Sequence, residues 1–387
     1  MAPTIGGGYD NFPGRCSARA RQGTVGQDLG DFTVNPAPEA AMPITCFVPP
    51  NVLLQIALQG SPAQRSWALS TLATDASVRT ARAVAGARSF GLVRGQLGGP
   101  GDTPQRTVYD GGSLDQLPGT VVRHEGDPPG QDAAATEAYD GLGTTFDFYL
   151  RGYDRHSIDD QGLPLTATVH YGDHYDNAFW NGAQMVFGDG DGELFQRFTR
   201  SLDVIGHELT HGVTQDEAGL EYLGQSGALN ESISDVFGSL VKQWHLGQSA
   251  DQADWLIGAD LLAPGVHGVA LRSMRAPGTA YDDPLLGKDD QPSTMAGYVQ
   301  TTSDNGAVHT NSGIPNHAFY LASTVLGGNA WEKAGRIWYD SLRDSAVKPT
   351  AQFHTFATTT VRVANQMFDK DVAAAVRDAW QQVGVIT

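Results

Sequence analysis

The chain has almost no cysteine: two in 387 residues, Cys16 and Cys46. Everything after residue 46 is therefore without thiols. A disulfide framework is excluded for most of the molecule, and any metal there must be held by nitrogen and oxygen. Long apolar runs are also missing, so no membrane span is expected, and the first forty residues lack the hydrophobic core of a secretory signal. Localisation stays open between the cytoplasm and export by a non-classical route. Positive charge is scarce, with 25 Lys and Arg against 43 Asp and Glu and a net charge of -18, which argues against nucleic-acid binding. The deficit is uneven: residues 1–105 carry eight arginines and six carboxylates, so the acidic excess lies wholly beyond them. That asymmetry marks the N-terminal part as a separate functional piece.

What is present is concentrated in His207-Glu208-Leu209-Thr210-His211. The flanks, Leu202 to Gly206 and Gly212 to Thr214, continue one apolar-faced helix. On it, histidines at i and i+4 project from one face and can share a metal ion, with the glutamate between them beside it. Twenty residues after His211, a second helix from Ser226 to Trp244 carries Glu231 and Asp235 four apart, with Ser226 read as its N-cap. Glu231 can supply a third ligand, and Asp235 can accept a ring N–H from a ligating histidine. Three protein ligands leave a fourth position for water, the mark of a catalytic zinc site.

Residues 1–45, rich in Gly, Pro and Ala, read as a disordered extension. Residues 46–90 follow with two short helices, and residues 91–105 form a Gly-rich linker. Residues 106–216 alternate in strand fashion around a helix from Ala133 to Leu150 and end in the histidine helix. Residues 217–387 are helical, with segments at Ile314–Leu326, Trp331–Leu342, Ala351–Met367 and Val372–Val383. The fold class is α+β: a β-rich half and an α-helical half meet at the histidine helix, where a cleft between halves would hold the site.

Six motifs appear in order: Asn177-Ala178-Phe179-Trp180-Asn181-Gly182, Gly188-Asp189-Gly190-Asp191-Gly192, the histidine helix, Gly227-Ala228-Leu229-Asn230-Glu231, Leu271-Arg272-Ser273-Met274, and Asp304-Asn305-Gly306-Ala307-Val308-His309. From about Thr107 onward the chain resembles the thermolysin-like zinc metallopeptidases, within them the protealysin-like group with a short propeptide. Cys46 to Arg82 looks like that propeptide, including its Pro49-Pro50 element. The resemblance implies a two-domain zincin fold and one catalytic Zn2+ on His207, His211 and Glu231. Glu208 would handle protons, Asp304 would orient His309, and Tyr222 and His309 would donate to the oxyanion. It further implies that Arg272 binds a substrate carbonyl and that Asn177 and Ala178 hold the peptide backbone. Phe195, Phe198, Val204, Ile257, Leu261 and Leu271 would form the pocket for the residue after the cut. All six are apolar, so a bulky hydrophobic residue is expected there. The remaining eight histidines are read as having no part in the chemistry.

The chain also departs from thermolysin. Asp203 and Asp254 match its double-calcium site, but Lys242, Leu256 and Ala259 stand where that site has acidic ligands, and Val269 replaces a calcium-binding aspartate. A lysine cannot ligate calcium, and its ammonium can neutralise the two aspartates instead, so the double-calcium site is expected to be absent. The Gly188–Gly192 run lacks the spacing of an EF-hand and reads as a turn. Cys46 carries two readings: a thiolate zinc ligand that keeps the precursor inactive, or a buried anchor of the propeptide.

The expectation is a monomeric neutral endopeptidase acting on peptides or proteins. It would be made as a self-processing precursor inhibited by its own propeptide, the mature part beginning between residues 80 and 106. A zinc-binding module without turnover and a small-molecule amidase are the alternatives. The acid/base set speaks against the first; the apolar pocket and Asn177 speak against the second.

Overall fold

The computed structural model describes residues 45–85 and 101–387. The extension expected to be disordered, Cys16, most of the linker and most of the interval expected to hold the maturation junction lie outside these residues.

The chain enters as a two-residue strand β1 (Thr45–Cys46), then forms α1 (Pro50–Gln59) and α2 (Pro62–Ala85). Pro50 opens α1 where a missing N–H costs nothing, and Val52, Leu53 and Ile56 bury one face. The expected pair of short helices is thus present, but the second runs for 24 residues.

The next half is built on β2 (Arg106–Leu114), β3 (Thr120–His124), α3 (Ala133–Tyr153), β4 (Leu165–Tyr171), β5 (Ala178–Trp180) and β6 (Met185–Phe187). They form one sheet in the order β1-β5-β6-β4-β2-β3. β2 and β4 are parallel and α3 lies on the crossover between them, capped by Asp132, whose carboxylate accepts from Ala134 N. Strand β1 lies antiparallel on β5, with Cys46 opposite Phe179, so the N-terminal segment completes the sheet edge.

Two helices then cross against each other, α4 (Leu202–Glu217) and α5 (Gly224–Leu246). Their closeness depends on glycine: a Cβ on Gly238 would lie 2.4 Å from the Asp203 carbonyl oxygen, and one on Gly206 3.1 Å from Gly238 Cα. This approach brings the two ligand-bearing faces together. Ser226 does not cap α5 as expected. Its hydroxyl donates to the Leu223 carbonyl at 2.8 Å from inside the first turn, because the helix already begins at Gly224.

Beyond α5, β7 (Leu256–Ile257) pairs with β8 (Arg272–Ser273), and β9 (Asp282–Asp283) with β10 (Gly287–Lys288). The rest is helical: α6 (Asp304–Asn311), α7 (Gly313–Leu326), α8 (Ala334–Leu342), α9 (Phe353–Met367) and α10 (Lys370–Gln382). Trp338 and Trp380 stack at 5.8 Å in their core. Among the described residues no helix is long and apolar enough to cross a membrane. The β-sheet half and the helical half meet at α4, as the motif order implied.

Candidate active site

Helix α4 places His207 and His211 one turn apart, and both are buried. His207 Nδ1 lies 2.8 Å from Asp235 Oδ1, and His211 Nδ1 lies 2.7 Å from Asn230 Oδ1. Both partners are acceptors, so each Nδ1 carries the proton and each Nε2 presents a lone pair. Those two Nε2 atoms face each other at 3.0 Å. Two lone pairs so placed repel unless a cation lies between them. Burial pushes the His211 imidazole down to about 3, which keeps it neutral and ready to ligate.

Glu231 on α5 closes the set, with its carboxylate 3.6 Å from His207 Nε2 and 3.5 Å from His211 Nε2. Its Oε2 and the Oε1 of Glu208 are buried without a hydrogen-bond partner. Ligand atoms of His207, Glu208 and His211 lie within 4.8 Å of one another. Facing lone pairs, a carboxylate beside them and orphaned carboxylate oxygens fit one divalent metal ion, and an all-nitrogen-and-oxygen donor set of this kind suits zinc.

Glu208 is completely buried, and Oε2 accepts the backbone N–H of Trp180 at 3.0 Å. Burial, and then the neighbouring Glu231, push its carboxyl well above the usual range. On the opposite side, Asp304 grips His309 twice: Oδ1 lies 2.8 Å from Nδ1, and Oδ2 accepts the backbone N–H at 3.0 Å. The turn that allows this has left-handed Asp304, Asn305, Gly306 and Ala307. Such backbone costs about 1–3 kcal/mol at each non-glycine residue and persists where surrounding structure fixes it. Burial would lower the His309 pKa, but Asp304 and Glu231 more than offset it and raise it to about 9. His309 therefore donates from both ring nitrogens, and Nε2 lies 2.9 Å from the Cys46 carbonyl oxygen and 3.2 Å from the Tyr222 hydroxyl. Tyr222 itself donates to Glu231.

Arg272 is held by Asp235 through two bonds of 2.8 Å, and Asn316 adds a third donor to that carboxylate at 2.9 Å. The remaining guanidinium nitrogen, Nη1, donates to the Phe47 carbonyl at 3.1 Å. Asp235 thus fixes a metal-facing histidine and the arginine together. The apolar residues expected to form the pocket are all buried, and the ring of Phe47 lies among this core. It packs edge-on to His207 at 5.1 Å and under the Arg272 guanidinium at 4.3 Å. Gly258 makes room for it: a Cβ there would lie 3.2 Å from the ring and 3.3 Å from Leu261, and the residue's φ of +71° suits glycine.

The edge strand holds the same segment. Phe47 N donates to Ala178 O at 3.1 Å, Val48 N to Asn177 Oδ1 at 2.8 Å, and Asn177 Nδ2 to Val48 O at 3.4 Å. Helix α2 reinforces this through Asp75, which accepts from Asn177 Nδ2 at 3.0 Å and from the Tyr175 hydroxyl at 2.5 Å.

The side chain of Cys46 packs with Tyr171, Tyr175, Phe179 and Val186, which favours the anchor reading over the zinc-ligand one. What Cys46 presents to the site is its carbonyl oxygen, because Cys46 pairs with Phe179 and its side chain joins that residue's face of the sheet. Lys242 lies where its charge was expected to serve, with Nζ 2.9 Å from Asp203, 3.1 Å from Asp254 and 2.7 Å from the Leu256 carbonyl oxygen.

The structure brings His207, Glu208, His211, Tyr222, Glu231, Asp235, Arg272, Asp304 and His309 together, with Asn177 and Ala178 holding the segment that lies against them. Sequence reasoning assigned no role to Phe47, Asp75, the Trp180 N–H, Asn230, Gly258 or Asn316. Asn230 sits within a quoted motif and was open to the tautomer argument made for Asp235; the others carry no local signal.

Comparison with known proteins agrees with this geometry. Residues 102–215 match the catalytic domain of the thermolysin metallopeptidases, and residues 218–385 match their alpha-helical domain. An extracellular metalloprotease of Pectobacterium carotovorum subsp. carotovorum is 54% identical over 343 residues, covering 89% of this chain and 97% of that one. Protease PrtS of Photorhabdus sp. (strain Az29) is 48% identical over 341 residues, 88% of this chain and 91% of that one. The solved structure of the precursor of protealysin, a metalloproteinase from Serratia proteamaculans, superposes with a TM-score of 0.80 at 56% identity, covering 88% of this chain and 99% of that one. With both domains matched in order around the histidine pair, the chain belongs to the thermolysin family of metallopeptidases, as a metalloendopeptidase of the protealysin type.

Proposed function

We propose that this chain is a zinc-dependent neutral endopeptidase that cuts on the N-terminal side of bulky hydrophobic residues and is made as a self-processing precursor. The facing Nε2 lone pairs of His207 and His211, 3.0 Å apart beside Glu231, carry the reading. When bound, zinc lowers the pKa of a water from about 16 towards roughly 7 and polarises the substrate carbonyl.

Glu208 takes the proton of the attacking water and returns it to the leaving amine, a role its burial and raised proton affinity favour. His309 and Tyr222 donate to the oxygen on which charge develops, each worth about 3 kcal/mol in the transition state. Asp304 keeps His309 protonated and aimed. Arg272 holds the carbonyl of the residue after the cut, while Asn177 and Ala178 hold the extended backbone. The pocket of Phe195, Phe198, Val204, Ile257, Leu261 and Leu271 takes that residue's side chain, and each buried CH2 there favours a large apolar group by about 0.8 kcal/mol.

Residues 45–85 act as the inhibitor, which is supported by the way residues 46–48 fill the cleft. Lys242 stands in for the calcium ions, so stability without calcium is expected. The enzyme acts as a monomer and outside the cell, the latter in keeping with the name of its Pectobacterium relative.

The test is hydrolysis of a peptide series with Phe, Leu, Gly or Asp after the cut, using protein activated by limited trypsin treatment. Wild type should prefer Phe and Leu by at least about tenfold over Gly. Glu208→Gln should bind zinc normally and lose activity. Equal rates across the series would reject the specificity, and full activity in Glu208→Gln would reject the mechanism.

A further inference from the structure

The segment that covers the site does not merely lie over it. It makes the contacts that the proposed mechanism assigns to a substrate, and these set the bond between Cys46 and Phe47 at the reacting position. The Cys46 carbonyl oxygen lies 2.9 Å from His309 Nε2, the nitrogen aimed at a developing oxyanion. The next residue, Phe47, directs its ring against His207 and gives its carbonyl to Arg272 at 3.1 Å. Its N–H donates to Ala178 O at 3.1 Å, and Val48 N donates to Asn177 Oδ1 at 2.8 Å. A segment evolved only to block a peptidase is safest when it runs backwards or skips the reacting position. This one does neither. Beside Cys46 a cleft of about 230 Å³ opens, bordered by Tyr222, Asp304 and His309, so the oxyanion side of the bond is not sealed.

We propose that the Cys46–Phe47 bond is a substrate of the chain's own active site, with Phe47 as the specificity residue, so that the precursor removes residues 1–46 in a cut separate from the maturation cut further along. Water adds across the bond. Its oxygen goes to the Cys46 carbonyl carbon, the C–N bond breaks, and Glu208 carries the proton to the Phe47 nitrogen. The products are a segment ending in the Cys46 carboxylate and a chain beginning with the Phe47 amine. The cut does not free the rest of the propeptide, because Val48 stays on Asn177 and Asp75 stays on Asn177 and Tyr175. A clipped but still covered enzyme is the expected first product.

This inference rests on the peptidase reading above, and the experiment separates the two. Purified full-length protein with one equivalent of zinc is followed by intact mass and N-terminal sequencing, for wild type, Phe47→Leu, Phe47→Gly and Glu208→Gln. A casein assay after limited trypsin treatment is run on each. Wild type and Phe47→Leu should yield a new terminus reading Phe-Val-Pro-Pro-Asn, Phe47→Gly should yield it at least about tenfold more slowly, and Glu208→Gln should not yield it at all. Phe47→Leu keeps the test valid if the glycine variant folds poorly. If wild type digests casein while Cys46–Phe47 stays whole, this inference is overturned and the peptidase reading stands. If the terminus appears equally in Glu208→Gln, a foreign protease made it and the inference also falls. If wild type neither cuts itself nor digests casein, both fall together.

Discussion

The carboxylate of Asp75, on helix α2, accepts a hydrogen bond from the side-chain amide of Asn177 at 3.0 Å, across 102 positions of sequence. The same amide holds Val48, so one side chain links the strand-like and helical parts of residues 45–85. A hydrogen bond to a charged group contributes about 1.5–3 kcal/mol, and losing it leaves buried donors unsatisfied. Asp75→Ala in the full-length precursor should therefore raise leak activity on a small peptide by about tenfold or more. Equal latency in wild type and variant would show that α2 contributes nothing to the grip.

Asp235 serves two masters, His207 at 2.8 Å and Arg272 through paired bonds. Burial alone would raise its pKa; Arg272 and then His207 more than offset that and hold it well below the usual carboxylate range. In Asp235→Asn the charge is gone and an amide NH2 replaces one acceptor, so the side chain can no longer serve His207, Arg272 and Asn316 together and its hold on His207 weakens. Zinc affinity should fall about 10–100-fold, read by competition with a chromogenic chelator. Activity at saturating zinc should fall as well, because Arg272 is released. Unchanged zinc affinity would make Asp235 a holder of Arg272 alone.

Much of this site can be read in the sequence because its geometry is local. His207 and His211 are one helical turn apart, as are Glu231 and Asp235, and helix periodicity alone puts each pair on one face. What escaped was set by packing between distant segments. Strand β5 is three residues long, too short to show alternation, and β1 exists only because β5 offers an edge. Phe47 drew no reading, since nothing beside it in sequence says that Gly258 and His207 will enclose its ring. Trp180 acts through a backbone N–H, which any residue has. Ser226 misled because a serine near a helix start suits a cap, whereas the turn Leu223-Gly224 had already begun the helix.

Lys242 is buried between Asp203 and Asp254, with the Leu256 carbonyl as a third acceptor. Burial would lower the ammonium pKa, but Asp203 and Asp254 more than offset it, so the charge is kept. Lys242→Met leaves Asp203 buried without its cation, a change worth about 3–5 kcal/mol, towards the lower end because Asp254 is half exposed. Calorimetry of the Glu208→Gln background should show a Tm drop of several degrees on adding Lys242→Met. Calcium should leave the Tm of the lysine-bearing protein unmoved. A calcium-dependent rise there would overturn the view that the ammonium replaces the ion.

His170 ties three parts of the sheet half together: Nδ1 lies 2.8 Å from Asp189 and Nε2 3.0 Å from Asp132, the residue that also caps α3. The Asp189 hydrogen bond raises its pKa most, burial works against this, and Asp132 adds to the rise, which reaches about 9. The folded pKa lies above the unfolded value near 6.5, so the protonated form is the stabilising one. Its contribution is complete below about pH 6.5 and is lost as the pH climbs through about 9. Both aspartates are partly exposed, so screening limits the gain to about 1 kcal/mol. His170→Gln, again in the Glu208→Gln background, which is expected to prevent autolysis, should melt about 1–2 °C below its parent at pH 6 and level with it at pH 10. A gap that is constant across that range would mean His170 contributes through packing, and one that widens with pH would mean the neutral imidazole is the form the fold prefers.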